Sequence, residues 1–147
     1  MFEALRRLFR RAPAPAAPAG PKPRAKPPQP RVVHVFTCAF ETTQGFLNYT
    51  EQHWSSQDAE PVCAFEQELA LSSLDRNYID LIDGGPEAVD AHVRPLLKHG
   101  VDADAVFLNT PRVAQAILVY DIALPADAPA LRATRSARYV GCFELAS

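Results

Sequence analysis

The sequence predicts an α+β fold: a single domain in which about four mostly antiparallel strands form a sheet and helices pack on one face of it. Three observations lead to this prediction. Strand-like runs rich in β-branched and aromatic residues occur near both ends of residues 31–147, and segments with helical spacing of apolar residues lie between them. The last two runs are joined by a proline-containing loop rather than by a helix, which favours an antiparallel hairpin.

Four runs are the strand candidates. The first has almost no charge and is apolar on both faces, which is typical of a central strand. Alternation along the last run is expected to place every second residue on one face of the sheet. These residues are Tyr139, Gly141, Phe143 and Leu145. The four runs lie at Arg31–Ala39, Asn77–Ile82, Val113–Leu124 and Ala137–Leu145.

Two helices are predicted between the first two strands. The first spans Gln44–Trp54 and begins behind a threonine cap, either Thr42 or Thr43. The second has Pro61 at its first position, where the missing backbone donor of proline is tolerated.

A third helix is predicted to begin at Pro86, directly after the turn signal Asp83-Gly84-Gly85. Pro95 is expected to bend or shorten this helix, and Gly100 is expected to cap its end. Residues 102–109 are ambiguous between a helical turn and a strand.

The chain of 147 residues divides into three parts. Residues 1–11 form a short basic segment whose apolar side chains share one face of a helix. Residues 12–30 form a proline-rich, disordered linker, because proline fixes φ and lacks a backbone donor. Residues 31–147 form the domain, which is large enough to bury one core.

Charge separates the two halves of the chain. Residues 1–31 contain eight Lys/Arg against one acid, a net charge of +7, and the remainder holds seven basic and sixteen acidic residues, a net charge of −9. Specific nucleic-acid binding is not expected of an acidic domain. The basic segment 1–11 predicts a weak contact with a membrane surface or a partner, and a frayed, solvated start is the alternative.

Three cysteines, Cys38, Cys63 and Cys142, form no C-x-x-C pair, and their odd number excludes complete pairing within the chain. No apolar run follows the charged first eleven residues, so neither a secretory signal nor a transmembrane helix is expected. The sequence therefore predicts a cytoplasmic protein with free thiols.

No recognisable catalytic or metal-binding motif occurs, and no cofactor is predicted. His34 and Cys38 share one face of the first strand, but strand residues four apart are roughly 13 Å apart, which is too far for proton transfer. His92 and His99 are about two helical turns apart, which is too far for one metal ion. The chain is therefore predicted not to be an enzyme.

Acidity is the most informative feature of the domain. Seven carboxylates lie within the 25 residues from Glu66 to Asp90. We interpret them as a docking surface for a basic protein, because the electric field of an acidic surface speeds association with a basic partner and disfavours other proteins. The alternative is that these carboxylates form a solvated face. Trp54 is expected to lie in the core rather than to anchor an interface. The predicted partner-binding residues are Glu66, Glu68, Asp75, Tyr78, Asp80 and Asp83.

Four sequence blocks resemble the successive blocks of the immunity protein 22 family. They are V-H-V-F-T-C-A-F-E-T-T-Q-G-F-L-N-Y-T-E (Val33–Glu51), F-E-Q-E-L-A-L-S-S-L-D-R-N-Y-I-D (Phe65–Asp80), A-Q-A-I-L-V-Y-D (Ala114–Asp121) and Y-V-G-C-F (Tyr139–Phe143). The chain departs from the family pattern at Cys38-Ala39, where Gly-Asn is usual, and at Gln115, where Asn is usual. Val101–Arg112 looks like an insertion.

The resemblance implies a small α+β protein encoded beside a bacterial polymorphic toxin, which it binds and neutralises. Many such toxins are nucleases and are basic, so an acidic inhibitor would cover a basic active site. The alternative hypothesis is a non-enzymatic adaptor domain, associated with a membrane or a scaffold and tethered by the basic, proline-rich tail.

Overall fold

The computed structural model of the protein describes residues 28–102 and 113–147. The basic segment 1–11, the linker up to residue 27 and residues 103–109 of the ambiguous stretch lie outside the described residues.

One sheet of four antiparallel strands organises the domain. Its strands are β1 (Val32–Cys38), β2 (Ile79–Asp83), β3 (Gln115–Tyr120) and β4 (Ala137–Glu144). Their order across the sheet is β2-β3-β1-β4. The predicted α+β class with four antiparallel strands is thus confirmed, and β1 is central, as its two apolar faces indicated.

The predicted hairpin between the last two strands is wrong, because β1 lies between β3 and β4 and pairs with both. Five of the seven residues of β1 are buried, which is typical of a strand that has a neighbour on each edge. Exposed residues recur along β4, which suits the edge of the sheet.

Three helices accompany the sheet in the described residues. They are α1 (Thr43–Thr50), α2 (Ala64–Glu68) and α3 (Gly85–Val93), and single 3₁₀ turns span Arg76–Tyr78, Arg94–Leu96 and Asp121–Ala123. As predicted, a threonine caps the first helix: Thr42 Oγ1 accepts a 3.0 Å hydrogen bond from the N–H of Gly45. This helix ends at Thr50, earlier than the predicted Trp54.

Pro61 does not begin the second helix, contrary to the prediction. It precedes an isolated antiparallel bridge in which His53 and Val62 exchange backbone hydrogen bonds of 3.0 and 3.2 Å. The helix starts only at Ala64, because the Glu66 side chain folds back and accepts a 2.8 Å hydrogen bond from the N–H of Cys63.

The third helix carries Pro86 in its first turn, as predicted, and Pro95 lies in the 3₁₀ turn that ends it. Gly100 does not cap this helix, contrary to the prediction. It occupies the third position of a turn closed by a 3.1 Å hydrogen bond from Val101 N–H to the Lys98 carbonyl, where its φ of +96° favours glycine.

Helices cover both faces of the sheet, so the expectation that they pack on one face is wrong. α1 and α2 pack on the face that carries Phe36 and Ile117, whereas α3 packs on the face that carries Val35 and Leu118. Consecutive residues of a strand point to opposite faces, and both sets of β1 and β3 are apolar. A sheet with two apolar faces must be covered by other elements on both sides.

A β-bulge in β4 changes which residues share a face. Val35 is opposite Gly141 and Phe36 is opposite Tyr139, so Val140 is the extra residue. Tyr139 therefore packs with the α1–α2 side, while Phe143 packs with the α3 side. The prediction that these residues share one face is wrong, since alternation is broken at the bulge.

Candidate protein-binding surface

A groove of about 410 Å³ lies between α1 and the edge strand β2. Its apolar walls are Leu47 from the helix and Leu81 from the strand, and their exposed fractions are 42% and 40%. Glu51, Gln52 and Arg76 provide its polar lining. Large apolar side chains that remain this exposed beside charged groups are typical of a protein-binding surface.

The exposure of these two leucines follows from their positions in the fold. α1 packs its buried side through Phe46, Tyr49 and Thr50, and Leu47 lies off that stripe. Leu81 pairs with Ile117 and points to the α1–α2 face, but β2 is the outermost strand there. The helix therefore covers Leu81 incompletely.

Trp54 lies in the loop that follows α1 and is 68% exposed. The prediction that it is a core residue is wrong, because the helix ends at Thr50 and the helical spacing on which the prediction relied does not reach it. In the described part of the chain, Leu47, Trp54 and Leu81 are the large hydrophobic residues that remain exposed. Tryptophan is enriched among the residues that dominate binding at protein interfaces.

Glu66 lies beneath the groove and is fully buried. Its carboxylate accepts hydrogen bonds from the Gln52 side chain at 2.7 Å and from the N–H groups of Leu74 and Cys63 at 3.1 and 2.8 Å. A guanidinium nitrogen of Arg76 lies 3.6 Å from the same carboxylate. The expectation that Glu66 is exposed for partner binding is therefore wrong, and its role is to hold the groove lining in place.

Arg76 connects this buried carboxylate to the surface. One of its nitrogens donates a 2.7 Å hydrogen bond to the carbonyl of Thr50 at the end of α1. Its side chain is 33% exposed and lines the groove. The end of α1 and the turn before β2 are thus tied together at one point.

Asp75 and Asp83 lie at the two ends of the segment that contains β2, and both are exposed. Asp75 caps the 3₁₀ turn by accepting 3.0 Å hydrogen bonds from the backbone and side chain of Asn77. Asp83 accepts a 2.5 Å hydrogen bond from the hydroxyl of Thr43 at the start of α1. Each carboxylate keeps unused acceptor sites for a partner's Lys or Arg.

Asp80 and Tyr78 lie at a different place from the groove. Asp80 accepts hydrogen bonds from the Tyr120 hydroxyl at 2.7 Å and from His92 Nε2 at 3.3 Å. Burial raises the pKa of Tyr120, and the hydrogen bond to Asp80 raises it further. Tyr78 and Asp80 line a separate depression of about 520 Å³ that also includes Pro30.

Glu68 is half-buried and also stands apart from β2. Its carboxylate accepts a 2.9 Å hydrogen bond from the Tyr49 hydroxyl, which lies 2.6 Å from Thr134 Oγ1. Burial is the main reason why the pKa of Tyr49 is raised. The six predicted residues therefore do not form one surface: Asp75 and Asp83 are exposed within two residues of the groove residues Arg76 and Leu81, whereas Glu66 is buried and the other three have partners elsewhere.

The two candidate chemical groups on β1 are a histidine paired with a tyrosine and a buried thiol. His34 Nδ1 lies 3.0 Å from the hydroxyl of Tyr139, and burial lowers the pKa of His34. Burial raises the pKa of the Cys38 thiol to about 12. Within residues 28–102 and 113–147, no three His, Cys, Asp or Glu side chains are grouped so that they could hold a metal ion. No helix in those residues is long and apolar enough to span a bilayer.

Comparison with known proteins identifies no relative: no family model, no curated protein and no solved structure matches this chain.

The predicted surface rested on charge, which the exposed leucines do not carry. Leu47 could have been found, since it falls outside the helical stripe that contains Phe46 and Tyr49. Leu81 gave no such signal, because only the strand order places β2 at the edge.

Proposed function

We propose that this chain is a non-enzymatic protein-binding domain of the immunity-protein type, which neutralises a basic toxin by covering it with the α1–β2 surface. We define this surface by Leu47, Glu51, Leu81 and Asp83, with Trp54 in the adjoining loop. The observation that carries the proposal is the groove in which two exposed leucines lie with Glu51, while the exposed Asp83 ends the same strand as Leu81.

Such a surface would bind a partner in which basic residues surround an exposed apolar side chain. Burial of the apolar surface of Leu47 and Leu81 against that partner would stabilise the complex, at roughly 25 cal/mol per Å² of apolar surface. Glu51 and Asp83 add charge that steers a cationic partner and fixes its register. The lining is held rigidly by Glu66 and Arg76, which lowers the conformational cost of binding.

The toxin class follows from the charge of the domain and from the resemblance to the immunity protein 22 family. A nuclease must be basic where it holds nucleic acid. An acidic inhibitor would occupy that place and exclude the substrate. On this proposal no side chain of the present chain performs chemistry.

The first experiment is co-expression of the full chain with the product of the neighbouring gene, scored by host survival and co-purification. Rescue together with a stable complex supports the proposal. Toxicity with neither rescue nor binding overturns it and favours the adaptor hypothesis, for which liposome co-sedimentation that requires residues 1–30 is the corresponding test.

The surface is mapped with substitutions that spare the core. Leu81→Arg places a charge in the groove and is expected to weaken toxin binding by at least tenfold, since a truncated or charged anchor costs more than about 1.4 kcal/mol. Asp83→Lys should weaken binding and flatten its dependence on salt.

Glu144→Lys is the matched control for Asp83→Lys. It reverses an exposed carboxylate on β4, which two other strands separate from β2. Equal affinities of the two variants for the toxin would contradict the site. If, in addition, both variants still protect the host, the immunity function stands but its surface lies elsewhere.

A further inference from the structure

A second site lies at the end of the sheet where β1 finishes and β4 begins. A cavity of about 300 Å³ is lined there by the final residues of β1 and by the turn that precedes β4. Its polar lining comes from Thr37, Thr134, Arg135, Ser136 and Arg138. None of these residues belongs to the α1–β2 surface.

Thr37 carries a buried hydroxyl without a partner among residues 28–102 and 113–147. The residue is 3% exposed, and its Oγ1 makes no hydrogen bond within those residues. Buried hydroxyls are normally paired, because leaving one unpaired costs free energy. Thr37 pairs in register with Arg138, so both side chains lie on the same face of the sheet. An unpaired buried hydroxyl on a residue that lines a cavity indicates a site for a missing acceptor.

The residues around this cavity are basic, whereas the domain as a whole is acidic. Three of the seven Lys/Arg among the described residues fall within the seven residues from Arg132 to Arg138, and no acid occurs between Asp127 and Glu144. Arg132 donates a 3.1 Å hydrogen bond to the carbonyl of Glu68. Arg135 makes no hydrogen bond or ion pair within the described part of the chain. Its guanidinium is therefore available to a ligand.

The turn that presents Arg135 and Ser136 is held in one conformation. Thr134 Oγ1 accepts hydrogen bonds from the N–H groups of Ser136 and Ala137 at 3.3 and 2.9 Å. The Thr134 N–H donates to the Ala137 carbonyl at 2.8 Å. Among the described residues only the backbone N–H of Ser136 is engaged, so its hydroxyl can make another contact.

We propose that this cavity binds a phosphate group. Thr37 and Ser136 offer hydroxyl donors and Arg135 offers a guanidinium, and a phosphate is an acceptor that accommodates several such donors at once. Arginine is suited to it by its planar, bidentate fork. The cavity lies at the lower end of the size range for ligand pockets, so it can also hold a small group esterified to the phosphate.

The test is calorimetric titration of the full chain with inorganic phosphate and with glycerol phosphate. Saturable binding of one phosphate per chain is expected, with acetate much weaker. Tighter binding of the ester identifies a phosphate monoester as the ligand, whereas tighter binding of the free ion identifies inorganic phosphate.

Three variants distinguish phosphate binding at this site from general attraction of phosphate to the basic residues 1–31. Thr37→Val is isosteric and removes the hydroxyl, and Arg135→Gln removes one guanidinium; each is expected to weaken phosphate binding about tenfold. Arg132→Gln removes the same charge from a side chain that does not line the cavity and should change the affinity less than about twofold.

Two results would overturn the site. One is the absence of saturable phosphate binding to the parent chain. The other is binding that survives both Thr37→Val and Arg135→Gln, since attraction to the basic segment alone would give that behaviour. Thermal unfolding of Thr37→Val without phosphate is the fold control, and its midpoint should not fall, because the variant loses no hydrogen bond to the described part of the chain.

Discussion

The side-chain amide of Gln52 donates a 2.7 Å hydrogen bond to the fully buried carboxylate of Glu66. One residue lines the groove between α1 and β2 and the other lies in the interior, so the bond joins the groove to the core. Glu66, which the sequence predicted to bind a partner, thus supports the groove from below.

Removal of the Glu66 carboxylate should destabilise the protein strongly. Glu66→Ala leaves two backbone N–H groups, the Gln52 amide and Arg76 without their acceptor, and we expect it to lower the free energy of unfolding by about 3 kcal/mol. Urea denaturation measures this value. Glu68→Ala is the control, because Glu68 is half-buried and accepts one side-chain hydrogen bond, and about 1 kcal/mol is expected there. Equal losses in the two variants would contradict the role given to Glu66.

Gly141 is the position in β4 where a side chain would be strained, because its φ of +156° is one that residues with a side chain rarely adopt and the space beside it is tight. A Cβ atom built there lies 3.1 Å from the Cζ atom of Phe143, whose ring covers the glycine. Gly141→Ala should therefore lower the free energy of unfolding by about 1–2 kcal/mol, as overpacking does. The same substitution in a Phe143→Leu background should cost less, because the smaller side chain gives room. An equal cost in both backgrounds would mean that the backbone conformation, and not the ring, excludes alanine.

Alkaline pH should unfold the protein in part through Cys38. Burial raises the pKa of its thiol from 9.0 to about 12, so between these values the unfolded chain releases a proton that the folded chain keeps. The stabilisation is fully present below pH 9 and is lost as the pH rises towards 12. The free energy of unfolding should fall by up to about 1.4 kcal/mol per pH unit in this window from Cys38 alone.

Cys38→Ala tests the origin of that slope. The variant should be less stable at neutral pH but should show a shallower decline above pH 9 than the parent chain. Cys142→Ala removes an exposed thiol and should keep most of the slope. Parallel pH profiles for the parent and Cys38→Ala would show that other groups cause the decline.

Trp54 provides a direct optical test of the surface, because it is the single tryptophan of the chain. At 68% exposure, its fluorescence should be quenched by acrylamide almost as strongly in the native protein as in urea. Strong protection in the native state would contradict its exposure. In a complex with the toxin, quenching should fall if the loop is part of the interface.

Local patterns predicted the elements well and their arrangement poorly. The Thr42 cap, the apolar β1 and Pro86 in the first turn of α3 were readable because each depends on neighbours in sequence. Neither the position of β1 between β3 and β4 nor the bulge at Val140 has a local signal, since both depend on pairing between distant segments. The same limit applied to the surface, where charge alone could not show that Glu66 turns inward.

The central position of β1 has a consequence for how the chain folds. Val33 pairs with Tyr120 and with Phe143, which follow it in the sequence by 87 and 110 residues. Such distant pairings lose a large loop-closure entropy before their contacts form, so folding should be slow compared with that of a helical domain of this size. Until β3 and β4 have paired with it, β1 has two unpaired edges, and we expect aggregation to be most favoured at this stage of folding.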